Sequence, residues 1–149
     1  MDITATNLSV DSIDAFIKAK EQEKAEEKRK LEEAAKVERE KLHKHFLADE
    51  IPADAMDRVA SMVRKAVEAG EGEALLFQFP STWLPDEGRS ITSHAADWPE
   101  HLVGLAQRAY VYFERNLKPK GFGLAAKILD WPNGMPGDVG LFLQWKKEG

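Results

Sequence analysis

The sequence contains no cysteine, so its 149 residues offer no disulfide, no thiolate nucleophile and no sulfur ligand for zinc or an iron–sulfur cluster. No apolar run approaches the roughly 20 residues that a membrane-spanning helix requires. The first ten residues lack the basic stretch followed by an apolar stretch that marks a secretory signal. We therefore expect a cytoplasmic protein with no membrane partner.

An excess of positive charge is also missing. The chain has 21 Lys and Arg residues against 26 Asp and Glu residues, a formal net charge of −5, and it is mildly acidic on both sides of Asp49. Nucleic-acid-binding modules usually carry a basic stripe, because neutralisation of phosphates supplies much of their affinity. The densest basic clusters here are short, at residues 28–30 and 118–120. We do not expect DNA or RNA as a partner.

The motifs that identify an enzyme or a metal site are absent or incomplete. There is no Gly-x-Ser-x-Gly nucleophile motif and no glycine-rich loop with the spacing that cradles phosphate. Glu40 and His43 have the Glu-x-x-His spacing of helical di-metal sites, but such sites need a second copy and further carboxylates. We therefore predict no catalytic residue, no metal ligand and no bound cofactor.

The composition of the chain changes abruptly near Asp49. Phe16 is the one aromatic residue before Phe46, and all seven prolines lie from Pro52 onward. The stretch before the break is dense in Lys, Glu, Arg and Ala, which are strong helix formers. The pattern predicts a long charged helix over residues 11–48 and an α+β domain over residues 49–149.

The predicted helix begins near Asp11 or Ser12, where a short polar side chain can accept hydrogen bonds from free backbone N–H groups. Over roughly 37 residues it would extend about 55 Å. Between Lys18 and Lys30 its apolar residues are alanines, so this stretch has no face to bury and should be surrounded by water. We expect such a helix to act as a spacer or an oligomerisation element.

Apolar residues return near the C-terminal end of this helix. Leu31, Ala35, Leu42 and Phe46 recur on one face and form a narrow seam. The seam either packs onto the protein's own domain or forms a short coiled coil between two chains.

A second apolar cluster, Ile13, Phe16 and Ile17, lies at the N-terminal end of the helix, far in sequence from the predicted domain. Amphipathic turns of this kind bind in the grooves of partner proteins. Residues 1–17 are therefore a candidate docking segment, with this cluster as its contact surface. The alternative is a flexible tail that frays from the helix.

Local patterns predict the elements of the domain. A helix runs from Asp54 to Gly70, a strand covers residues 73–79, and a second helix opens at Asp97. Residues 123–131 and 139–145 alternate between inward and outward positions around a turn rich in Pro, Gly and Asn, which predicts a β-hairpin. The first strand is predicted to place three apolar side chains on one face: Leu75, Phe77 and Phe79. The fold class is therefore α+β, with a three-stranded, mainly antiparallel sheet packed against two helices behind the long N-terminal helix.

The connection over residues 80–96 is the candidate binding region. Loops longer than about 12–15 residues are uncommon in compact domains and are often functional, and tryptophan is enriched at binding hot spots. The predicted partner-binding residues, within this loop and beside it, are Trp83, Arg89, His94, Trp98 and Trp131. The alternatives are a purely structural loop, with a short strand around residues 89–92, and tryptophans that close the ends of the core.

The C-terminal third resembles small, functionally uncharacterised proteins of phages, prophages and plasmids. In those proteins a helix ends at a Gly-aromatic pair, and a hairpin follows that closes on an apolar-x-Trp sequence. The corresponding stretches here are Leu117-Lys-Pro-Lys-Gly-Phe-Gly-Leu and Val139-Gly-Leu-Phe-Leu-Gln-Trp145. The resemblance covers about 30 residues and implies an accessory bacterial or phage protein, without catalytic residues to carry across.

Three functions follow from these observations as expectations. The first is a non-catalytic protein–protein interaction or adaptor module that binds a protein partner through the 80–96 loop, or self-associates through the N-terminal helix. The second is a structural component of a phage-like or other multi-subunit assembly. The third is a small enzyme that uses the 80–96 loop, with Arg89, Ser90 and His94 as the reactive groups.

Overall fold

The structure of the protein, a computed structural model, describes residues 3–145. The chain divides into two compact units, Met1–His43 and Lys44–Gly149. The predicted α+β class is confirmed: a long N-terminal helix is followed by a three-stranded antiparallel sheet with helices. Within the described residues, no helix combines the length and the apolar character needed to cross a membrane.

Helix α1 spans Val10–Ala48 and begins slightly before the predicted start. Two serines three residues apart explain this start. The backbone N–H of Ser9 donates to Ser12 Oγ at 2.9 Å, and the N–H of Ser12 donates to Ser9 Oγ at 3.0 Å. This reciprocal arrangement satisfies two of the N–H groups that a helix leaves unpaired at its first turn.

Most side chains of the first unit are exposed. Of the predicted seam, Leu31 is 72% and Leu42 is 52% exposed, whereas Phe46, which belongs to the second unit, is 5% exposed. The acidic and basic side chains pair locally along the helix, as in the 2.6 Å contact between Arg29 Nη2 and Glu26 Oε1. Exposed pairs of this kind contribute little free energy, so this unit relies on helix propensity and its cap.

Helix α2 spans Ala55–Glu68 and strand β1 spans Glu73–Pro80, as the sequence pattern predicts. Asp54 lies at the predicted cap position but makes no capping hydrogen bond. Its Oδ1 instead lies 2.9 Å from Arg58 Nε. The carboxylate therefore stabilises the first turn by an ion pair with the following turn.

Strands β2, Gly123–Ile128, and β3, Asp138–Gln144, form the predicted hairpin. The spatial order is β1-β3-β2, and both pairings are antiparallel. Val139, Leu141 and Leu143 on one face of β3 are fully buried because alternate residues of a strand point to the same side. Because β3 lies in the middle of the spatial order, β1 and β2 are the two edge strands of the sheet.

A bulge in β1 corrects the predicted alternation of that strand. The register with β3 shifts between Leu75 and Phe77, so one extra residue is inserted. Because a one-residue shift turns side chains to the other face, Leu75 is 40% exposed while Phe79 is 2% exposed. Ala74, not Leu75, shares the buried side with Phe79.

The helix predicted after Asp97 is interrupted. After the short helix α3, Arg89–Thr92, a 3₁₀ turn at Trp98–His101 precedes α4, Gly104–Tyr112. A π turn at Phe113–Leu117 and a short 3₁₀ turn at Lys118–Lys120 follow α4. Gly104 marks the break with a φ of +58°. A Cβ at that position would lie 2.5 Å from the carbonyl oxygen of Phe46, so the close approach requires glycine.

The last turn of α1 is anchored in the core of the second unit. The Phe46 ring centroid lies 4.9 Å from that of Phe79 and 5.0 Å from that of Trp83. Arg108 Nη1 donates to the carbonyl oxygens of Leu47 and Asp49, each at 3.0 Å. The guanidinium thereby satisfies carbonyls that the helix end leaves unpaired.

Gly104→Ala should reduce the free energy of unfolding by about 3 kcal/mol, because a positive φ costs roughly 1–2 kcal/mol and the clash with Phe46 adds a similar amount. Gly70→Ala is the matched control, since Gly70 has a φ of +78° and no atom of the described residues lies within 4 Å of its Cβ position. It should cost only the conformational part. Urea unfolding of both variants measures the difference, and equal losses would contradict the close approach.

Candidate functional site

The clearest candidate binding surface is a groove between the short helix α3, Arg89–Thr92, and strand β2. Its volume is about 410 Å³. The groove brings together two residues that are far apart in sequence and were both predicted to bind a partner, His94 and Trp131. The described residues that line it are Ile91, Thr92, His94, Ala125, Ala126, Lys127, Ile128 and Trp131. We refer to it as the α3–β2 groove.

The 80–96 connection folds so that α3 forms one wall of this groove. The connection contains a 3₁₀ turn at Ser81–Trp83 and the helix α3. Residues 89–92, for which a short strand is the alternative prediction, form this helix. Leu84 and Ile91 are 3% and 4% exposed, which fixes the connection onto the core. The loop is therefore an ordered part of the domain with a polar outer surface.

Asp86 holds the entry to α3. Its two carboxylate oxygens accept hydrogen bonds from the backbone N–H groups of Gly88 and Ser90, each at 3.0 Å. Burial alone would raise the pKa of Asp86, but the hydrogen bonds from Ser90 and Gly88, with the nearby His101, hold its pKa below the ordinary value. The ionised carboxylate is thus a structural anchor of the groove wall.

His94 ends α3 in a left-handed conformation, with a φ of +56°. The N–H of Ala95 donates to Ser90 O at 2.8 Å, and the N–H of His94 donates to Ile91 O at 3.2 Å. This is the Schellman motif, in which glycine usually holds the position that His94 occupies. An exposed histidine at this strained position is available for contact with a ligand.

Trp131 lines the other end of the groove and is 55% exposed. The turn around it is fixed by Asp130, whose Oδ1 accepts from the N–H of Asp138 at 2.7 Å and whose carbonyl accepts from Gly137 at 2.9 Å. A large aromatic side chain held at the surface by an ordered turn has the character of a binding hot spot.

The other predicted partner-binding residues lie elsewhere. Trp83 is half-buried against Phe46, and Trp98 is half-buried with its ring edge-on to Tyr110 at 6.0 Å between centroids. Both tryptophans pack on the core cluster of the domain. Arg89 is exposed at the start of α3 and is not among the residues that line the groove.

The one charged side chain of β2 is turned across the sheet. Lys127 Nζ lies 2.6 and 2.8 Å from the two carboxylate oxygens of Glu73 on β1, and 4.8 Å from the ring centroid of Phe142 on β3. The hydrogen bond from Lys127 lowers the pKa of Glu73, against the effect of burial and with help from Gln144. Lys127 therefore lines the groove with its aliphatic stem, while its charge is paired with Glu73 on β1.

The residues of the alternative enzymatic prediction are not arranged as a catalytic pair. Ser90 Oγ is buried and lies beside the Asp86 carboxylate, whose pKa it helps to lower, instead of facing a base. His94 is exposed on the groove instead of hydrogen-bonded to that hydroxyl. Across residues 3–145, no group of three or more His, Asp or Glu side chains is placed to hold a metal ion.

The predicted docking cluster lies on the first turns of α1. Ile13 is 37% and Ile17 is 48% exposed, while Phe16 is half-buried with Lys20 Nζ 5.5 Å from its ring centroid. Met1 and Asp2 of the predicted 1–17 segment lie outside the described residues. Leu8 and Val10 add further exposed apolar surface, at 64% and 75%.

A second cavity of about 200 Å³ lies between α2, β1 and α4. Its lining is apolar apart from the Arg58 guanidinium and the Tyr112 side chain. Arg58 is held by Asp54, so the cavity offers packing surface and little directed polar chemistry.

The residues that sequence reasoning missed are those of β2 itself. The hairpin pattern predicted the strand but not its place at an edge of the sheet beside α3. That place depends on β1 pairing with β3, and nothing local in the sequence specifies this long-range pairing.

Comparison of the chain with protein-family models, with curated proteins and with solved structures found no match.

The hydrogen bonds of Asp86 predict a pH-dependent stability. Because its pKa is lowered in the folded state, Asp86 stabilises the fold above its unfolded pKa of about 4, and this contribution is lost as the pH falls through the folded pKa. Asp86→Ala should reduce the free energy of unfolding at pH 7 by about 1 kcal/mol. Asp86→Asn, which keeps one acceptor, should cost less.

Urea unfolding followed by tryptophan fluorescence, at pH 7 and near pH 3, tests both variants. The difference between wild type and Asp86→Asn should shrink at the lower pH, because below the unfolded pKa of about 4 the stabilisation by the ionised carboxylate is progressively lost. A difference that is unchanged or larger near pH 3 would contradict the role of the ionised carboxylate.

His94→Gly should raise the free energy of unfolding by about 1 kcal/mol, because glycine adopts the left-handed conformation without the penalty of a side chain. Ser93→Gly is the matched control: Ser93 has an ordinary φ of −87°, so glycine there should lower stability. Thermal unfolding measures both changes. Destabilisation by both variants would show that His94 contributes native contacts that outweigh its backbone strain.

Proposed function

We propose that the chain is a non-catalytic protein-binding module, with the α3–β2 groove as its partner-binding surface. The observation that carries the proposal is the pairing of exposed Trp131 with His94 on one groove. An exposed aromatic side chain on an ordered turn supplies large contact area at low entropic cost. A groove of this volume admits a short peptide segment or the edge of another domain.

The charged helix fits the role of a spacer in such a module. Helix α1 has 39 residues, and most of its side chains as far as His43 are exposed. Helix formers with local ion pairs keep such a segment extended without a hydrophobic face. The exposed seam residues Leu31 and Leu42 leave self-association through this helix as the second role.

A second candidate function is that of a subunit in a phage-like or other multi-subunit assembly. The observation that favours it is the exposed apolar surface of Leu8, Val10, Ile13 and Ile17 at the start of α1. In this case the segment inserts into a neighbouring subunit as an amphipathic helix and attaches the domain to the assembly. Cytoplasmic localisation in a bacterial host accords with both candidates and is part of the proposal.

Capture experiments with the immobilised full-length chain and an extract of its host cell test the groove. Trp131→Ala should weaken binding of a captured protein by about 30-fold or more, the effect of losing a hot-spot side chain. Met135→Ala is the control, because Met135 is 63% exposed but does not line the groove. Identical binding by wild type and Trp131→Ala would refute the groove as the partner site.

The same extract separates the two candidates. The double variant Ile13→Asp/Ile17→Asp removes the apolar surface at the start of α1 and leaves the groove residues unchanged. A partner bound through the groove should still be captured. Loss of all binding in this variant, with normal binding by Trp131→Ala, would instead support the assembly candidate.

A further inference from the structure

Among the described residues, no segment pairs with one hydrogen-bonding edge of strand β2. The N–H of Leu129 donates to the carbonyl of Asp138 at 2.8 Å, and β2 continues the same register without a shift. In an antiparallel ladder, alternate residues bond to the neighbour and the residues between them point away. The backbone groups of Leu124, Ala126 and Ile128 therefore turn away from β3, and no described segment hydrogen-bonds to them.

The other edge of the sheet is protected in ways that β2 is not. Strand β1 carries the bulge between Leu75 and Phe77 and ends in Pro80. Bulges and prolines are devices by which proteins prevent edge-to-edge pairing. Strand β2, with the sequence GLAAKI, has neither a proline nor a bulge.

The usual electrostatic protection of an edge is also removed from β2. A lysine on an edge strand normally discourages an added strand by bringing an unpaired charge to it. Lys127 instead reaches over Phe142 on β3 to Glu73 on β1, on the side of the sheet away from the open edge. Its charge is neutralised there, so a second strand does not meet an uncompensated cation.

We infer that the partner of this edge is the β2 strand of a second copy of the chain, which pairs antiparallel with it about a two-fold axis at Ala126. The inference rests on the proposed function, because it names the protein that the α3–β2 groove binds. Ala126 pairs with Ala126 of the second copy, and Leu124 pairs with Ile128 of the second copy, which forms about six backbone hydrogen bonds. The two sheets become one sheet of about six strands, a common size.

The side chains of β2 are compatible with this symmetric pairing. On the open face, Ala125 of each copy lies opposite Lys127 of the second copy, so two lysines never face each other directly. Small alanines at the axis allow the backbones to approach. Trp131 lies just beyond the end of β2 and lines the same groove, so in the dimer its exposed indole lies beside the new interface.

Light scattering and site-resolved amide hydrogen exchange on the full-length chain, over a range of concentrations, test the inference. A dimer should form, and the amides of Leu124, Ala126 and Ile128 should gain protection in proportion to the dimer. The amides of Ala125 and Lys127, bonded to β3, should be protected at every concentration. A monomer throughout, or a dimer in which the first three amides remain unprotected, would overturn the inference.

Ala125 offers a matched pair of variants that does not touch the core. In a Glu73→Gln background, which releases the Lys127 ammonium from its ion pair, Ala125→Lys places a cation directly opposite Lys127 of the second copy, whereas Ala125→Glu places an anion there. With two such positions in each dimer, the lysine variant should have a dimer dissociation constant about tenfold higher than that of the glutamate variant. Equal constants would overturn the proposed register.

Two further variants distinguish other modes of association. Ala126→Pro removes an N–H that points away from β3, so the β2–β3 ladder is kept while the dimer should be lost. Ile13→Asp/Ile17→Asp should leave the dimer intact. If that double variant abolishes association and Ala125→Lys does not, the chain self-associates through α1 and the inference fails.

Failure of this inference and failure of the proposed function give different results. A monomeric chain whose capture of a foreign protein still depends on Trp131 keeps the groove as a binding site but overturns the second copy as its partner. Protection of the Leu124, Ala126 and Ile128 amides by such a foreign protein, and not by self-association, overturns it in the same way. If Trp131→Ala captures a foreign protein as the wild type does, while the Leu124, Ala126 and Ile128 amides are still protected by dimerisation, the groove is overturned as the site for a foreign partner and the pairing of β2 with the second copy is kept.

Discussion

The packing of Phe46 is the interaction on which the second unit depends most. This side chain ends a highly charged helix, yet its ring contacts Phe79 on β1 and Trp83 in the 80–96 connection. Gly104 lies close to the backbone of Phe46, and Arg108 donates hydrogen bonds to backbone carbonyl oxygens just after it. A single apolar residue thereby joins the end of α1, the sheet and the connection that builds the groove wall, and its loss would leave a large cavity between them.

The elements that could be predicted from the sequence are those that local patterns determine. The alternation of β3 and its turn residues predicted the hairpin, and the apolar period after Asp54 predicted α2. The bulge in β1 could not be predicted in this way, because the register shift depends on which strand lies beside it. The break before Gly104 could not be predicted for the same reason, because it depends on the close approach to the backbone of Phe46, which is more than fifty residues away in sequence.

The candidate site was predictable to a similar degree. Residue type and loop length indicated His94 and Trp131, which share the groove, but indicated Trp83 and Trp98 equally, and these pack on the core. A sequence cannot rank four tryptophans by exposure, because exposure is a property of the packed chain. Asp86 shows the opposite case: an Asp two residues before a glycine is a local turn signal, and its hydrogen bonds follow that signal.

If the α3–β2 groove binds a partner as we propose, the open edge of β2 constrains how specificity arises there. Backbone N–H and C=O groups are the same in every strand, so pairing with Leu124, Ala126 and Ile128 alone would accept many extended segments. Discrimination has to come from side chains beside the edge, and the groove provides them in Trp131 and His94. Under the proposed function, the left-handed His94, at a position where glycine would adopt the same backbone without strain, exchanges some stability for contact with the partner. Lys127 is held by Glu73 and leaves the edge uncharged, so under the proposed function the fit of these flanking side chains, and not net charge, selects the partner.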